Sequence, residues 1–139
     1  LLPWLAVAAL LIVAGVAVAR LLPGWRRSRR RETRLAGTGD ARVDTVAAWD
    51  EVRDTAADLK LPWPDGSPRF AAERLAVRLD DEDALAALRR LAAAAERALY
   101  DRSEGYDLPG AWRDEVITIA AALTASAEAR RAAKPRRVA

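Results

Sequence analysis

Cysteine, histidine and methionine are all absent from this chain of 139 residues. Without cysteine the chain has no disulfide and no thiol nucleophile, and without histidine it lacks the commonest general base and zinc ligand. The remaining Ser, Thr, Lys, Asp and Tyr side chains have no histidine to activate them. Paired carboxylates occur only on predicted solvent faces or at helix starts, which are not the buried settings that suit acid–base catalysis. The sequence therefore predicts a non-catalytic chain with no cofactor and no metal centre.

Aromatic residues are also scarce, with five Trp, two Tyr and one Phe. Hydrophobic residues make up 52% of the chain, and much of that share is alanine. Few β-branched residues occur after the first segment, and a mixture of Ala, Leu, Arg, Glu and Asp favours helix. We expect an all-α protein. Because there is no methionine to serve as an initiator, we also expect the chain to be part of a longer protein.

Charge is missing altogether from residues 1–19, which read LLPWLAVAALLIVAGVAVA. A helix needs about 20 apolar residues to cross the hydrocarbon core of a bilayer. A signal peptide would place its basic residues before the apolar run, and a buried core helix would show a polar stripe. Neither pattern is present. We predict a transmembrane helix over residues 1–22.

An arginine cluster follows the apolar run, and tryptophans lie near both of its ends. The positive-inside rule places such a cluster in the cytoplasm, and tryptophan favours the membrane interface. The residues predicted to anchor the segment or contact lipid are Trp4, Trp25, Arg26, Arg27, Arg29, Arg30 and Arg31. We expect a single-pass protein of the plasma (inner) membrane with its N-terminus outside and its C-terminal domain in the cytoplasm. The cluster is either a topology anchor alone or also a site for anionic membrane lipids.

The net charge of +3 is unevenly distributed. Residues 20–34 have a net charge of +6 and residues 128–139 of +4, so the segment between them has −7. A nucleic-acid-binding domain usually carries its positive charge on the folded part. The acidic middle therefore predicts that nucleic acid is not a partner.

Four amphipathic helices are predicted to form a small cytosolic domain over residues 43–127. A basic juxtamembrane segment and linker (23–42) precedes it, in which Gly37 and Gly39 permit a swivel, and a basic tail (128–139) follows. Asp40 or Asp44 is expected to cap the first helix, and Ser67 the second. The predicted core consists of Trp49, Val52, Trp63, Phe70, Leu75, Leu88, Leu91, Tyr100, Trp112, Val116, Ile119 and Leu123.

Four consecutive acidic residues, 80–83, stand where the third helix is expected to begin. Carboxylates there interact favourably with the helix dipole, by about 0.3–1 kcal/mol each. The alternative is a divalent-cation site, although consecutive acids lack the ligand spacing and the turn glycine of a calcium loop. We favour the capping role.

Two stretches, AAWDEVRDTAADLKLPWPDGSPRFAAERL (Ala47–Leu75) and LAAAAERALYDR (Leu91–Arg102), follow the membrane-exit arginines. This arrangement resembles the C-terminal region of actinobacterial transglutaminase-like (TgpA-type) membrane proteins of the cell envelope. The resemblance implies a transglutaminase-like or cysteine-protease-like domain upstream of Leu1, outside the cytoplasm. It also implies a cytosolic helical domain that docks partners such as a MoxR-type AAA+ ATPase. Lys60 departs from the family pattern, in which glycine would be expected after the first helix.

Two functions follow from these observations. The first is a non-catalytic, membrane-anchored cytosolic domain for interaction or regulation, at the C-terminal end of a transglutaminase-like protein. The alternative is a small single-span accessory or scaffold subunit of a larger membrane complex. An open reading frame beginning near Leu1 would favour the second, and a long upstream sequence containing Cys, His and Asp would favour the first.

Overall fold

Helix is the secondary structure of every regular element in the part of the chain that can be described. The structure is a computed structural model, and it describes residues 12, 16, 24–102 and 111–134. The prediction of an all-α protein is confirmed for these residues. The chain divides into two compact units, Leu1–Thr33 and Arg34–Ala139.

Four helices form the second unit. They are α1 (Ala41–Asp58), α2 (Pro68–Ala76), α3 (Glu82–Tyr100) and α4 (Trp112–Ala133). Residues 24–35 are helical as well. None of the helices within the described ranges has the length and apolar character needed to cross a bilayer. The predicted transmembrane segment, 1–22, lies outside those ranges except for Ile12 and Val16, which are helical and exposed.

Side-chain caps explain where the first three helices begin. Asp40 accepts hydrogen bonds from the backbone N–H groups of Arg42 and Val43. Ser67 and Asp81 cap α2 and α3 in the same way, with Pro68 as the first residue of α2. Such caps satisfy N–H groups that have no partner inside the helix, and each contributes about 1 kcal/mol. Of the two expected caps for the first helix, the structure selects Asp40.

Helix α3 packs against each of the other three, and α1 also packs against α4. Two contacts show its direction relative to α2, since Arg69 meets Glu96 while Glu73 meets Arg89. The two helices are therefore antiparallel. At the same C-terminal end of α3, Arg42 donates to the carbonyl oxygen of Ala98, which places the start of α1 beside the end of α3. Ser126, in the later part of α4, donates to the carbonyl oxygen of Arg78 just after α2. The C-terminal ends of α1, α2 and α4 therefore share one end of the bundle.

The core is made of leucine and alanine with a few larger side chains. Of the residues predicted to form it, nine are buried: Trp49, Val52, Leu75, Leu88, Leu91, Trp112, Val116, Ile119 and Leu123. Trp63 is half-buried and meets Trp49 edge to face, with 5.4 Å between ring centroids. Because alanine is abundant on α3, neighbouring helices approach it closely.

Two predicted core residues lie outside the core. Phe70 is 52% exposed and Tyr100 is 69% exposed. Phe70 is in the first turn of α2, where Ala71, Ala72 and Leu75 are the residues that turn inward. Tyr100 is the last residue of α3, beyond the last buried turn. The prediction of core positions for both was wrong because residue type was weighed above position on the helix.

The predicted domain boundaries also shift at both ends. The helix over 24–35 enters the segment expected to be a flexible linker, and Leu35 belongs to the core. At the other end, α4 continues to Ala133, six residues into the segment expected to be a tail. The rest of the predicted tail, 135–139, lies outside the described residues.

Lys60 ends α1 in a left-handed conformation, with φ of 57°. Its N–H donates to the carbonyl oxygen of Ala57, and the N–H of Leu61 donates to that of Ala56. This pair of bonds is a Schellman motif, whose left-handed residue is usually glycine. Lysine has a Cβ that disfavours this conformation by about 1–2 kcal/mol. The glycine expected here from the sequence pattern would therefore suit the backbone better.

Replacing Lys60 with glycine is expected to raise the free energy of unfolding by about 1 kcal/mol, since it relieves the left-handed strain. Urea unfolding followed by circular dichroism measures the change. Ala57→Gly is the matched control, because Ala57 is exposed inside α1 and glycine there should destabilise by about 0.5–1 kcal/mol. Equal destabilisation by both substitutions would contradict this account of Lys60.

Candidate functional site: a basic groove at one end of the bundle

Most arginines on the described surface of the second unit are paired with carboxylates or carbonyl oxygens. Arg53, Arg69, Arg89 and Arg90 form ion pairs with Asp50, Glu96, Glu73 and Glu115, respectively. Arg42 donates to three backbone carbonyl oxygens at the end of α3, those of Arg97, Ala98 and Asp101. A cation at that end of a helix also interacts favourably with its dipole. These arginines have structural partners.

A shallow groove lies at the end of the bundle where α1 and α4 finish. It has a volume of about 350 Å³. Its apolar lining residues, which we call the floor, are Leu59, Leu61, Pro62 and Ala127. Its rim carries five cations: Lys60, Arg78, Arg130, Arg131 and Lys134. We call this feature the basic groove.

The rim cations are distinguished by lying together on one groove, since Arg74, Arg97 and Arg102 elsewhere in the described unit also lack ion pairs. Within residues 24–102 and 111–134, no ion pair joins any of the five to another side chain. Four of them are exposed, and Arg78 is half-buried. Five like charges gathered on one groove create a positive potential over it, which Asp80 in the hollow beside Arg78 and Arg130 partly offsets. This potential attracts anionic groups from solution.

A purely structural role accounts for part of this arrangement. Arg130 and Arg131 lie in the last turn of α4, where cations interact favourably with the helix dipole. Lys60 and Arg78 directly follow the C-caps of α1 and α2, and Lys134 is the C-cap of α4, so the helix dipoles favour these cations too. The carbonyl oxygen of Arg78 accepts a 2.6 Å hydrogen bond from the hydroxyl of Ser126, so its backbone is fixed against α4. Each cation thus suits its own helix end, and the fold brings the three helix ends together on one groove.

Glu73 and Arg89 form an exposed bidentate pair on the α2–α3 face, with distances of 2.9 and 3.3 Å. The hydrogen bonds from Arg89, and then its positive charge, lower the pKa of Glu73 below the ordinary value for glutamate. The same pairing raises the pKa of Arg89. Because the pKa of Glu73 is lower in the folded state than in the unfolded state, the pair stabilises the fold at pH values above the unfolded-state pKa. This stabilisation is lost as the pH falls through the folded-state pKa.

Arg89→Gln is expected to return the pKa of Glu73 upward toward its ordinary value, because both lowering effects come from Arg89. An NMR titration of the Glu73 side-chain carboxyl carbon measures it. Arg53→Gln, which removes a cation from a different pair, should leave that titration unchanged. If Glu73 titrates identically in the wild type and in Arg89→Gln, the bidentate pair does not form in solution.

The segment that precedes α1 forms an ordered corner within the second unit. Asp44 is buried, and one of its carboxylate oxygens accepts hydrogen bonds from the N–H (2.7 Å) and the hydroxyl (2.9 Å) of Thr38. The role predicted for Asp44 as an alternative to Asp40, capping the first helix, belongs to Asp40. The corner is therefore fixed by a buried side chain.

Arg113, in the first turn of α4, also holds this corner in place. Its guanidinium donates to the carbonyl oxygens of Leu35 and Ala36 and lies 4.5 Å from the ring centroid of Trp112. Gly37 has φ of +82°, and a Cβ at that position would lie 2.6 Å from Arg113 Nη2. The positive φ favours glycine here, and a larger residue would also have to displace the end of the Arg113 side chain. The swivel expected at Gly37 and Gly39 concerns motion between the membrane segment and the domain, and it stays a prediction.

The predicted anchoring residues lie in the first unit. Trp4 is outside the described residues. Trp25 is 57% exposed, with the guanidinium of Arg29 at 4.7 Å from its ring centroid. Arg26 and Arg27 are exposed as well, and Arg30 and Arg31 are half-buried. Exposed basic and aromatic residues on one helical segment are compatible with the predicted lipid contact, which remains a prediction.

The acidic residues at 80–83 have a clear local role. Asp81 accepts a 2.9 Å hydrogen bond from the N–H of Ala84, while Glu82 and Asp83 occupy the first turn of α3. The described residues contain no group of three or more acidic, histidine or cysteine side chains able to bind a metal ion.

Sequence reasoning did not find the basic groove. Its cations come from the end of α1, the end of α2 and the last turns of α4, so no contiguous sequence motif indicates them. The one signal in the sequence is the basic stretch 128–139, whose composition predicts a tail. Comparison with protein-family models, curated proteins and solved structures finds no match for this chain. The function is therefore argued from the geometry of the groove.

Proposed function

We propose that this chain is a non-catalytic, membrane-anchored interaction domain that binds its partner in the basic groove. One observation carries the proposal: five cations surround an apolar floor without ion pairs inside the described residues. A protein that neutralises Arg53, Arg69 and Arg89 with its own carboxylates leaves these cations for an external anion. Binding energy comes from charges that are satisfied only in the complex.

The membrane anchor is the second part of the proposal. Its support is the uncharged stretch 1–19 followed by the arginine cluster, which together are typical of a spanning helix with its basic end in the cytoplasm. In this arrangement the domain beginning at Arg34 is cytosolic. The resemblance to TgpA-type proteins extends the proposal: the chain would be the C-terminal part of a transglutaminase-like membrane protein whose catalytic-type domain is outside the cytoplasm. A MoxR-type ATPase is then a candidate partner.

The absence of cysteine makes the topology directly testable. Leu2→Cys and Ala86→Cys each introduce a single thiol, and Ala86 is exposed on α3. In intact spheroplasts, a membrane-impermeant maleimide should label Leu2→Cys but not Ala86→Cys. After permeabilisation both should be labelled. Labelling of Ala86→Cys in intact spheroplasts would contradict the proposed orientation.

Interaction through the groove is tested by removing its charge. The groove variant combines Arg78→Gln, Arg130→Gln and Lys134→Gln. We expect the wild-type protein, extracted in mild detergent, to migrate on native gels in a complex larger than its own size. The groove variant should lose that complex because its rim has lost three of five cations.

The control variant combines Arg53→Gln, Arg69→Gln and Arg89→Gln. It changes the net charge by the same amount, and all three side chains are at least half exposed and away from the groove. It should keep the complex. A complex that survives in the groove variant, or disappears equally in both variants, would contradict binding through the groove.

A further inference from the structure

We infer that the basic groove binds an acidic, partly apolar segment of a partner protein, with carboxylates on the rim cations and apolar side chains on the floor. This inference rests on the proposed function, and it names the chemical class of the partner. It is drawn from charge complementarity and from the apolar residues that line the groove.

The rim selects for negative charge. Five cations lie on one groove, and no described acidic side chain is paired with them. A segment with several carboxylates would satisfy them together, whereas a neutral segment would leave them unpaired. Arg is well suited to this role because its planar guanidinium binds carboxylates in a bidentate manner, and three of the five rim cations are arginines.

The floor selects for apolar side chains. Leu59 and Leu61 lie beneath the rim, and Ala127 closes the side formed by α4. With a volume of about 350 Å³, the groove accommodates side chains of a short segment, within the size range of pockets that bind small ligands. Burying apolar groups there contributes about 25 cal/mol per Å² of surface removed from water.

Val77 extends the apolar surface beside the rim. It is 81% exposed, the highest value among the large hydrophobic residues that the structure describes, and it lines a neighbouring hollow together with Arg78, Asp80 and Arg130. An exposed aliphatic side chain in a hollow with two cations suits a segment in which leucine or phenylalanine alternates with aspartate or glutamate.

The two other polyanions that fit a basic surface are less well matched. The headgroups of a bilayer surface would contact the rim cations but offer no apolar side chains to Leu59 and Leu61. A nucleic acid is long, and beyond the groove it would meet a domain whose residues 35–127 have a net charge of −7, which repels phosphates. A short acidic segment contacts only the groove and avoids both conflicts.

The test uses the full chain in nanodiscs of phosphatidylcholine, a lipid without net charge. The probe is a fluorescent synthetic helix about four turns long, with leucine on one face and glutamate on the other. Its control replaces every glutamate with glutamine. We expect fluorescence anisotropy to show saturable binding of the glutamate peptide only, with affinity decreasing as salt is raised.

The groove variant should bind the glutamate peptide about 10- to 100-fold more weakly than the wild type, as three screened ion pairs would predict. The control variant should stay within about twofold. Val77→Ser should weaken binding without changing its salt dependence, because it removes apolar contact alone. Circular dichroism melts of each variant verify that the fold is retained. We expect this because the substituted side chains are exposed, apart from the half-buried Arg78.

Four results would overturn the inference. One is equal binding by the groove and control variants. Another is groove-dependent binding of a DNA oligonucleotide, or of phosphatidylserine vesicles, when the peptide does not bind. A third is groove-dependent self-association, which would identify a second copy as the occupant. The fourth is no binding of any probe. The proposed function and this inference can fail separately. If the groove variant loses the native complex and any of these four results is obtained, the proposed function is retained and the acidic segment is rejected.

Discussion

Replacing Trp49 with alanine is expected to lower the free energy of unfolding by about 3–5 kcal/mol, the usual cost of removing a large buried aromatic side chain. Trp49 is 7% exposed and meets Trp63 edge to face across the connection between α1 and α2. The substitution leaves a cavity and removes this aromatic contact. Urea unfolding followed by helical circular dichroism measures the loss without depending on tryptophan fluorescence.

Phe70→Ala is the matched comparison, because sequence reasoning placed both aromatics in the core. Phe70 is 52% exposed, so its removal should cost less than about 1 kcal/mol. The difference in the loss of unfolding free energy between the two substitutions distinguishes the observed core from the core predicted by residue type. Equal costs would mean that Phe70 is buried in solution.

The second large effect is expected at Asp44. Asp44→Ala should lower the free energy of unfolding by about 1.5–3 kcal/mol, because a charged acceptor is removed from a buried site. The N–H and hydroxyl of Thr38 would lose their partner. The corner before α1 would then open, and amide hydrogen exchange at Thr38 should become faster.

Asp44→Asn keeps one acceptor oxygen, so it should cost less than alanine and preserve slow exchange at Thr38. Asp50→Ala serves as the surface control, since Asp50 forms only an exposed i,i+3 pair with Arg53 and should change stability by less than about 1 kcal/mol. If Asp44→Ala were as mild as Asp50→Ala, the fixed corner described here would be wrong.

The helices and their starts were predictable because their signals are local. Asp40, Ser67 and Asp81 stand immediately before apolar periodic stretches, and each caps the helix that follows. Nine of the predicted core residues are buried because helical periodicity places them on inward faces. These features depend on neighbours only a few residues away.

The corner and the groove were not predictable because they depend on distant contacts. Gly37 resembles a flexible linker residue in the sequence, and only the approach of Arg113, 76 positions later, shows that it is fixed. The rim brings Lys60 together with Lys134 at the far end of the chain. Charge counting detected the basic C-terminal stretch but not the residues that would lie beside it.

The central claim is that partners bind in the basic groove, and photocrosslinking in cells tests it most directly. A photoreactive benzoyl-phenylalanine replaces Ala133, which is exposed and lies beside Arg78 and Arg130. A second variant carries the photoreactive residue in place of Ala86, which is exposed but does not line the groove. The account predicts a discrete crosslinked protein from position 133, none from position 86, and loss of the product when the groove variant's substitutions are added. Equal crosslinking from both positions, or a product that persists after those substitutions, would contradict it.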